Sequence, residues 1–327
     1  MNFNKIFSAL YIKFFKLFPL ALNRMLAKFF KKLHDLNLIS SYGSDFLAEM
    51  NIENTNFKLW LMKDDVQAQS VYLPLHKKKI TYETIMIKTL LSTTRKLDFK
   101  NFLDLGSFMG YYACFVSKYF EERLEVFAIE SNPYYSQYIK KSIAENNLKN
   151  IHVINEILSD KEENLFVYKE GTYKSKQIYK KSTNSKSKTL DQICFDRKIY
   201  PELIKIDVHG AEGKVLLGSK KVLKDFTKII LLELHSNNYI KKFSDGLNRE
   251  KILELLISLD FKCYLISSFR DFEKSEDLQN QYYSNKKFQY IEVNLKNFNE
   301  VFFDRYQTDQ FIFACKKEID IKGFDCF

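Results

Sequence analysis

The chain is short of the residues that punctuate or cross-link a fold. It has nine glycines and four prolines in 327 residues, which excludes collagen-like and low-complexity classes. Its five cysteines, Cys114, Cys194, Cys263, Cys315 and Cys326, are odd in number, far apart and without a C-x-x-C pair. Such spacing suggests neither a zinc site nor a disulfide framework. With no secretory signal, a reducing, cytoplasmic setting is expected. Long apolar runs are missing as well. Residues 6–30 are rich in Leu, Ile and Phe, but Lys13, Lys16, Arg24 and Lys28 interrupt them, and no uncharged run there exceeds seven residues. A bilayer span needs about 20, and a signal peptide needs an unbroken apolar stretch after its basic start.

Acids are absent from the first 33 residues. Lys5, Lys13, Lys16, Arg24, Lys28, Lys31 and Lys32 give that segment +7 of the chain's net +10, leaving +3 for the remainder. The body is nearly neutral, so the charge is not a nucleic-acid signature spread over a domain. Ile6, Leu10, Phe14 and Leu17, then Leu22, Leu26 and Phe29, recur near helical spacing around Pro19. Residues 1–33 therefore read as two basic amphipathic helices. They are expected to pack on the rest of the chain or on a second copy, or to lie on an anionic membrane surface.

What is plentiful is apolar mass: 46% of residues are hydrophobic and 16% aromatic, enough for a sizeable core and too much for a disordered chain. Residues 34–100 read as a mixed, mostly helical extension. From 101 to 327 short apolar runs at 101–105, 124–130, 151–158, 203–208, 228–234, 262–267 and 310–315 alternate with helical patterns at 111–120, 133–146, 190–198, 212–223 and 249–260. That alternation predicts an α/β domain with a doubly wound, mostly parallel sheet, whose strand C-termini line the ligand edge. Residues 168–188, rich in Lys, Ser and Thr, read as an exposed loop or hairpin.

Five glycines fall in two clusters, Gly106 and Gly110, then Gly210, Gly213 and Gly218. The first lies in Phe102-Leu103-Asp104-Leu105-Gly106-Ser107-Phe108-Met109-Gly110-Tyr111, a strand running through a glycine turn into a helix. The spacing is D-x-G-x-x-x-G, unlike the G-x-G-x-x-G that cradles a pyrophosphate. The Asp104 carboxylate would repel phosphate and suits an amine-bearing ligand such as the methionine portion of S-adenosylmethionine. The next strand ends at Glu130, placed to accept ribose hydroxyls. Asn155 and Glu156, after the third strand, are candidates for the adenine edge. The candidate cofactor residues are thus Asp104, Gly106, Ser107, Gly110, Tyr111, Glu130, Asn155 and Glu156.

The order of these pieces resembles the FkbM family of S-adenosylmethionine-dependent methyltransferases. The resemblance rests on Tyr82-Glu83, residues 102–112, Glu130, Ile157-Leu158-Ser159-Asp160 and Thr189-Leu190-Asp191. It continues through Ile204-Lys205-Ile206-Asp207-Val208-His209-Gly210-Ala211-Glu212 and Leu232-Glu233-Leu234-His235. It covers about residues 80–236 and departs from the family at Ser107, commonly Asn, and at His209, usually Glu. It implies a class I methyltransferase (Rossmann-like) fold of seven strands with an antiparallel last strand. It also implies S-adenosyl-L-methionine as cofactor and, often, O-methylation of a sugar or glycan-pathway hydroxyl.

Methyl transfer to an alcohol needs in-line alignment and a base. Asp207, His209, Glu233 and His235 end two strands expected to be adjacent, so they form the candidate catalytic set. An unperturbed imidazole titrates near pH 6.5, which makes His235 the first candidate for the base, oriented by Asp207 or Glu233. Glu212 and Glu83 read as supporting residues. Carboxylate plus imidazole also suits several metal ions, but strand-tip acids commonly cap the next helix, and no metal is expected. A nucleic-acid methyltransferase is the alternative. However, Ser131-Asn132-Pro133-Tyr134 follows strand two rather than strand four, and Asn132-Pro133 reads better as a helix cap and first-turn proline. A nicotinamide oxidoreductase on the same sheet is disfavoured by the glycine spacing. The expected partners are a small-molecule or glycan acceptor and, through residues 1–33, a second copy or the inner face of the membrane.

Overall fold

The apolar runs from residue 101 onward become strands and the helical patterns between them helices, except that the run 151–158 breaks into two strands of different sheets and the pattern 212–223 into two short helices. The structure is a computed structural model. It describes residues 45–63, 65, 67–79, 81–166, 184–267, 291–298 and 309–321, with residues 22, 25, 26, 28, 29 and 32 of the N-terminal segment. Most of the two helices expected in residues 1–33 and most of the polar segment 168–188 lie outside the described residues. In chain order the first elements are β1 (Phe46–Ile52), β2 (Thr55–Leu61), α1 (Thr84–Lys96), β3 (Asn101–Leu105), α2 (Tyr111–Phe120), β4 (Glu125–Ile129), α3 (Pro133–Asn146) and β5 (Ile151–Ile154). There follow β6 (Ile157–Leu158), β7 (Asn164–Phe166), β8 (Asn184–Lys188), α4 (Leu190–Arg197), β9 (Leu203–Ile206), α5 (Glu212–Leu217) and α6 (Lys220–Asp225). The last are β10 (Ile229–Leu234), α7 (Asn237–Phe243), α8 (Arg249–Ser258), β11 (Phe261–Ser267), β12 (Ile291–Val293) and β13 (Gln310–Lys316).

Local chemistry sets the helix starts. Asn132 Oδ1 accepts the Tyr134 N–H at 2.9 Å while Pro133 fills the first turn of α3. Thr189 and Gln192 cap α4 reciprocally, and the Asn248 side chain caps α8.

Among the described residues the central sheet runs β12-β11-β13-β10-β9-β3-β4-β5. Strands β5, β4, β3, β9 and β10 are parallel, and β13 inserts antiparallel between β10 and β11. This is the doubly wound, Rossmann-like order with an antiparallel last strand. The count of seven strands is corrected to eight, because β12 pairs antiparallel on the edge of β11. With three residues, two of them exposed, β12 is too short to show a periodic signal. The winding reverses at β3, flanked by β4 on one side and β9 on the other, and the C-termini of β3, β4, β9 and β10 open there.

Apolar layers cover both faces of the sheet. One contains Phe57, Leu59, Met86, Leu90, Phe115 and Ile139 from β2 and α1–α3. The other contains Ile193, Val215, Leu216, Val222, Ile252 and Leu256 from α4–α6 and α8.

The extension 34–100 departs from the mostly helical expectation, since β1 and β2 form an antiparallel hairpin. Ala48, Met50 and Ile52, then Phe57, Leu59 and Leu61, are buried at every second position, the period of a half-buried strand. Glu53 and Asn54 between them both have positive φ (47° and 62°), as a tight two-residue hairpin turn requires. The β2 edge is closed by helix side chains rather than by another strand. The Lys58 N–H donates to Asn146 Oδ1 (2.7 Å), Asn146 Nδ2 donates back to the Lys58 carbonyl (2.6 Å), and the Trp60 N–H donates to Ser142 Oγ (2.9 Å). Asn146→Ala leaves both Lys58 backbone groups unmet, and urea unfolding is expected to show a loss of about 1–3 kcal/mol.

Candidate active site

The glycine loop leaves β3 through Gly106, at φ +82°, where an added Cβ would fall 1.9 Å from the Asp207 carbonyl oxygen. The Gly106 N–H donates to Ile129 O (2.9 Å), and Ser107 Oγ donates to Asp104 O (2.7 Å), so the loop is bound to both flanking strand tips. Phe108 follows in the left-handed region, at φ 49°. Its N–H donates to Glu130 Oε2 at 2.8 Å, while Glu130 Oε1 accepts the Asn132 N–H at 2.8 Å. The structure thereby joins the glycine loop to the acid at the β4 tip. Burial pushes the Glu130 carboxyl up to about 7 despite those two hydrogen bonds.

The other cofactor candidates have varied settings. Asn155 is exposed and its Nδ2 donates to the Glu130 carbonyl (2.7 Å). Glu156 accepts from Lys188 Nζ at 2.7 Å. The Tyr111 hydroxyl accepts the Tyr82 N–H (2.9 Å) and its ring stacks on Tyr72 (5.2 Å), so its side chain ties α2 to the N-terminal extension. Phe108 packs edge-on against Tyr135 at 4.6 Å, and Tyr135 donates to Asp65 at 2.7 Å. The extension therefore walls the outer side of the loop.

Asp104 is buried beneath the loop and faces a cation of the protein itself. Lys205 Nζ lies 3.7 Å from Asp104 Oδ1 and 3.5 Å from Asp207 Oδ2, and 4.6 Å above the Tyr112 ring. Tyr112 in turn donates to Glu83 Oε2 at 2.8 Å. Burial alone would lower the Lys205 pKa. The surrounding carboxylates Asp207, Asp104, Glu83 and Glu233 outweigh it and hold the ammonium above the ordinary lysine range. Lys205 is the residue that sequence reasoning passed over. Its signal was a lysine inside the otherwise apolar strand Leu203-Ile204-Lys205-Ile206.

At the tips of β9 and β10 the structure brings Asp207, His209, Glu233 and His235 together. The two imidazole rings are 4.8 Å apart. His209 Nδ1 lies 3.6 Å from Asp207 Oδ1, and His235 Nε2 lies 3.9 Å from both Asp207 Oδ1 and Glu233 Oε1. The orienting partner of His235 is neither of those acids but Glu212, whose Oε1 accepts Nδ1–H at 2.7 Å and the Gly210 N–H at 2.9 Å. Arg249, buried on α8, closes the turn by donating Nε to the His235 carbonyl (2.8 Å). Burial lowers the His235 pKa, but the Glu212 hydrogen bond and charge, with Glu233 and Asp207, raise it to about 10. Near pH 7 His235 thus already carries a proton, which corrects the expectation of an imidazole titrating near 6.5. His209, with 30% of its side chain exposed, and Asp207, with 13%, are the members of the set that reach the surface.

Residues 104–263 match the family described as the methyltransferase FkbM domain. The chain carries a methyltransferase FkbM domain. It is an S-adenosylmethionine-dependent methyltransferase. The matched stretch starts at Asp104 and ends in β11, so it takes in the glycine loop, Glu130 and all four strand-tip candidates. Among solved structures, the FkbM methyltransferase of Methylobacillus flagellatus is similar at 12% identity and TM-score 0.38, over 66% of this chain and 44% of that one. Precorrin-6y C5,15-methyltransferase of Geobacter metallireducens is similar at 14% identity and TM-score 0.37, covering 73% and 92% respectively. Fibrillarin of Aeropyrum pernix, solved with natively bound S-adenosyl-L-methionine, is similar at 11% identity and TM-score 0.40, covering 71% and 75%. No curated protein sequence matches the chain.

The residues of the FkbM domain fit the cofactor. Glu130 presents a carboxylate already oriented by two backbone N–H groups, with acceptor capacity left for hydroxyls. Asp104 Oδ1 is a buried oxygen without a hydrogen-bond partner among the described residues. No helix among the described residues is long and apolar enough to cross a membrane.

Proposed function

We propose that the chain methylates a hydroxyl of a sugar, glycan or glycolipid-pathway acceptor. The observation that carries this reading is the cluster of two carboxylates and two imidazoles at the tips of β9 and β10, beside the glycine loop. Bound S-adenosylmethionine supplies a methyl carbon made electrophilic by the sulfonium. Glu130 holds the ribose hydroxyls, and the loop backbone at Gly106, Ser107 and Gly110 shapes the passage for the donor. Asp104, braced by Lys205, meets the methionine end, and Asn155 and Glu156 flank the adenine edge. Asp207 and His209 receive the acceptor hydroxyl, with His235 and Glu233 behind them. Much of the rate then comes from alignment. Residues 1–33, basic and acid-free, bring this cytoplasmic enzyme to the inner membrane face or to a second copy.

The test is a labelled-methyl transfer screen on cell extracts with purified protein, preceded by calorimetry. S-adenosylmethionine and S-adenosylhomocysteine are expected to bind and NADH not, and label is expected on carbohydrate hydroxyls. Label on amines or nucleic acid overturns the acceptor class. Flotation on anionic liposomes, comparing the full chain with one lacking residues 1–33, tests the docking role, and equal flotation removes it.

The cofactor affinity carries a pH signature. Ribose hydroxyls donate to the charged form of Glu130, so the complex favours the carboxylate. Free Glu130 holds a proton below about pH 7, and that proton must leave on binding. Affinity is therefore expected to rise about tenfold per pH unit up to pH 7 and to level off above it. Calorimetry across pH should show this slope, and Glu130→Gln should flatten it.

A further inference from the structure

We propose that Asp207, His209 and His235 form a binding site for one divalent first-row transition-metal ion, with Glu212 fixing His235 as a ligand. One donor atom from each of the three lies within 4.8 Å of the other two. The closest approaches are 3.6 Å, His209 Nδ1 to Asp207 Oδ1, and 3.9 Å, His235 Nε2 to the same oxygen. Neighbouring ligands on one such ion, with bonds of about 2.1 Å, stand roughly 3–3.5 Å apart. Small side-chain rotations that draw the two imidazoles toward Asp207 close the site.

A second observation is independent of that grouping. His235 is 2% exposed, and its Nε2 makes no hydrogen bond among the described residues. The atom is directed at two carboxylates, Asp207 and Glu233, each 3.9 Å away. Its other nitrogen is held by Glu212 at 2.7 Å, and Glu212 is itself locked by the Gly210 N–H. A carboxylate behind the far ring nitrogen is how proteins orient a histidine toward a metal, and an ion at Nε2 takes the place of the proton there, which leaves to solvent on binding. Charge balance points the same way. Asp104, Asp207, Glu83, Glu212 and Glu233 surround Lys205 and the two imidazoles, and a buried surplus of anions is costly without a cation.

The donor set selects the ion. Calcium and magnesium take oxygen ligands, whereas two imidazoles with one carboxylate suit manganese, iron, cobalt or zinc and leave positions open. Glu233 and Asp309, which group with His235 in a second arrangement, stand ready to add a ligand. The ion's role rests on the methyl-transfer reading, although its binding does not. An ion here binds the acceptor oxygen and eases loss of its proton. The O–H proton leaves to solvent, the oxygen forms a bond to the methyl carbon, and the C–S bond breaks. Its electron pair stays on sulfur as a neutral thioether.

The test is titration of chelator-treated, full-length protein with Mn2+ alone, read by the paramagnetic resonance signal of free Mn2+. One Mn2+ per chain is expected to leave the free signal. His209→Ala, at a side chain 30% exposed, should weaken binding at least tenfold. Glu212→Gln should weaken it about 10–100-fold, with S-adenosylmethionine binding retained as the control for folding. Mn2+ that stays free with the wild-type chain, or that binds the His209→Ala chain equally well, overturns the site. Methyl transfer that proceeds undiminished in chelator overturns the ion's role in the reaction while leaving the methyltransferase intact. Mn2+ binding without any hydroxyl acceptor would sustain the site and count only against the acceptor reading.

Discussion

Lys205→Met is expected to lower the unfolding free energy by about 3–5 kcal/mol, because it removes one partner of a buried charge network and strands the others. Lys205 is 3% exposed and Asp104 1%, and the ammonium stands between Asp104 and Asp207 at 3.7 and 3.5 Å. Methionine keeps most of the stem that lies over Tyr112, so the loss is electrostatic rather than a cavity. The carboxylates beneath the cofactor loop and at the β9 tip would then lose the cation between them, leaving Asp207 with the His235 imidazolium at 3.9 Å and Asp104 with none of comparable reach among the described residues. Pairing the substitution with Asp104→Asn should recover part of the loss, since one stranded charge goes with it. Urea unfolding of the three variants reads the effect. A single variant within about 1 kcal/mol of wild type would mean that solvent already screens the network, as it does at surface pairs. Cofactor affinity should fall in parallel, because Asp104 Oδ1 loses its fixed position.

The position of this network also shows why some of the site was legible in the sequence and some was not. Backbone constraints leave a signature in one residue type. Gly106 and Gly110 stand out in a glycine-poor chain, and Glu130 and His235 close apolar runs, so the strand tips and the loop could be placed from spacing alone. Pairings between distant strands leave none. Glu212, rather than Asp207 or Glu233, holds His235 because the turn through His209 (φ 52°) and Gly210 (φ 97°) folds the start of α5 back under the β10 tip. Nothing in the order of residues reports that fold-back. The proton carried by His235 near neutral pH follows from the same contact. Lys205 was visible as a charge in an apolar strand, but its meaning depends on β9 lying beside β3, where Lys205 is in register with Asp104. The hairpin β1–β2 is a different failure. Its period-two pattern and its Asn54 turn were in the sequence, but they were masked by the helical composition of the surrounding extension.

Gly106→Ala is expected to abolish cofactor binding and to cost about 2–5 kcal/mol of stability, from left-handed strain of about 1–2 kcal/mol and overpacking of about 1–3 kcal/mol. The added Cβ would sit 1.9 Å from Asp207 O and 2.9 Å from its carbonyl carbon. Both are backbone atoms, so no side-chain rotation relieves the contact. The Asp207 N–H is meanwhile held by Leu105 O at 3.0 Å, which ties the two colliding segments together. The only relief is to part the ends of β3 and β9, and that displaces the loop, Asp104 and Asp207 at once. Gly246→Ala provides the control within the same chain. Gly246 has nearly the same φ, +77°, but a Cβ there meets nothing within 4 Å, so its cost should be the conformational part alone, about 1–2 kcal/mol. Equal losses at the two positions would show that strain at φ, and not the approach of β9, makes glycine necessary at 106. A much larger loss at Gly106, accompanied by loss of S-adenosylmethionine binding in calorimetry, would show that the close approach of the two strand ends shapes the donor site.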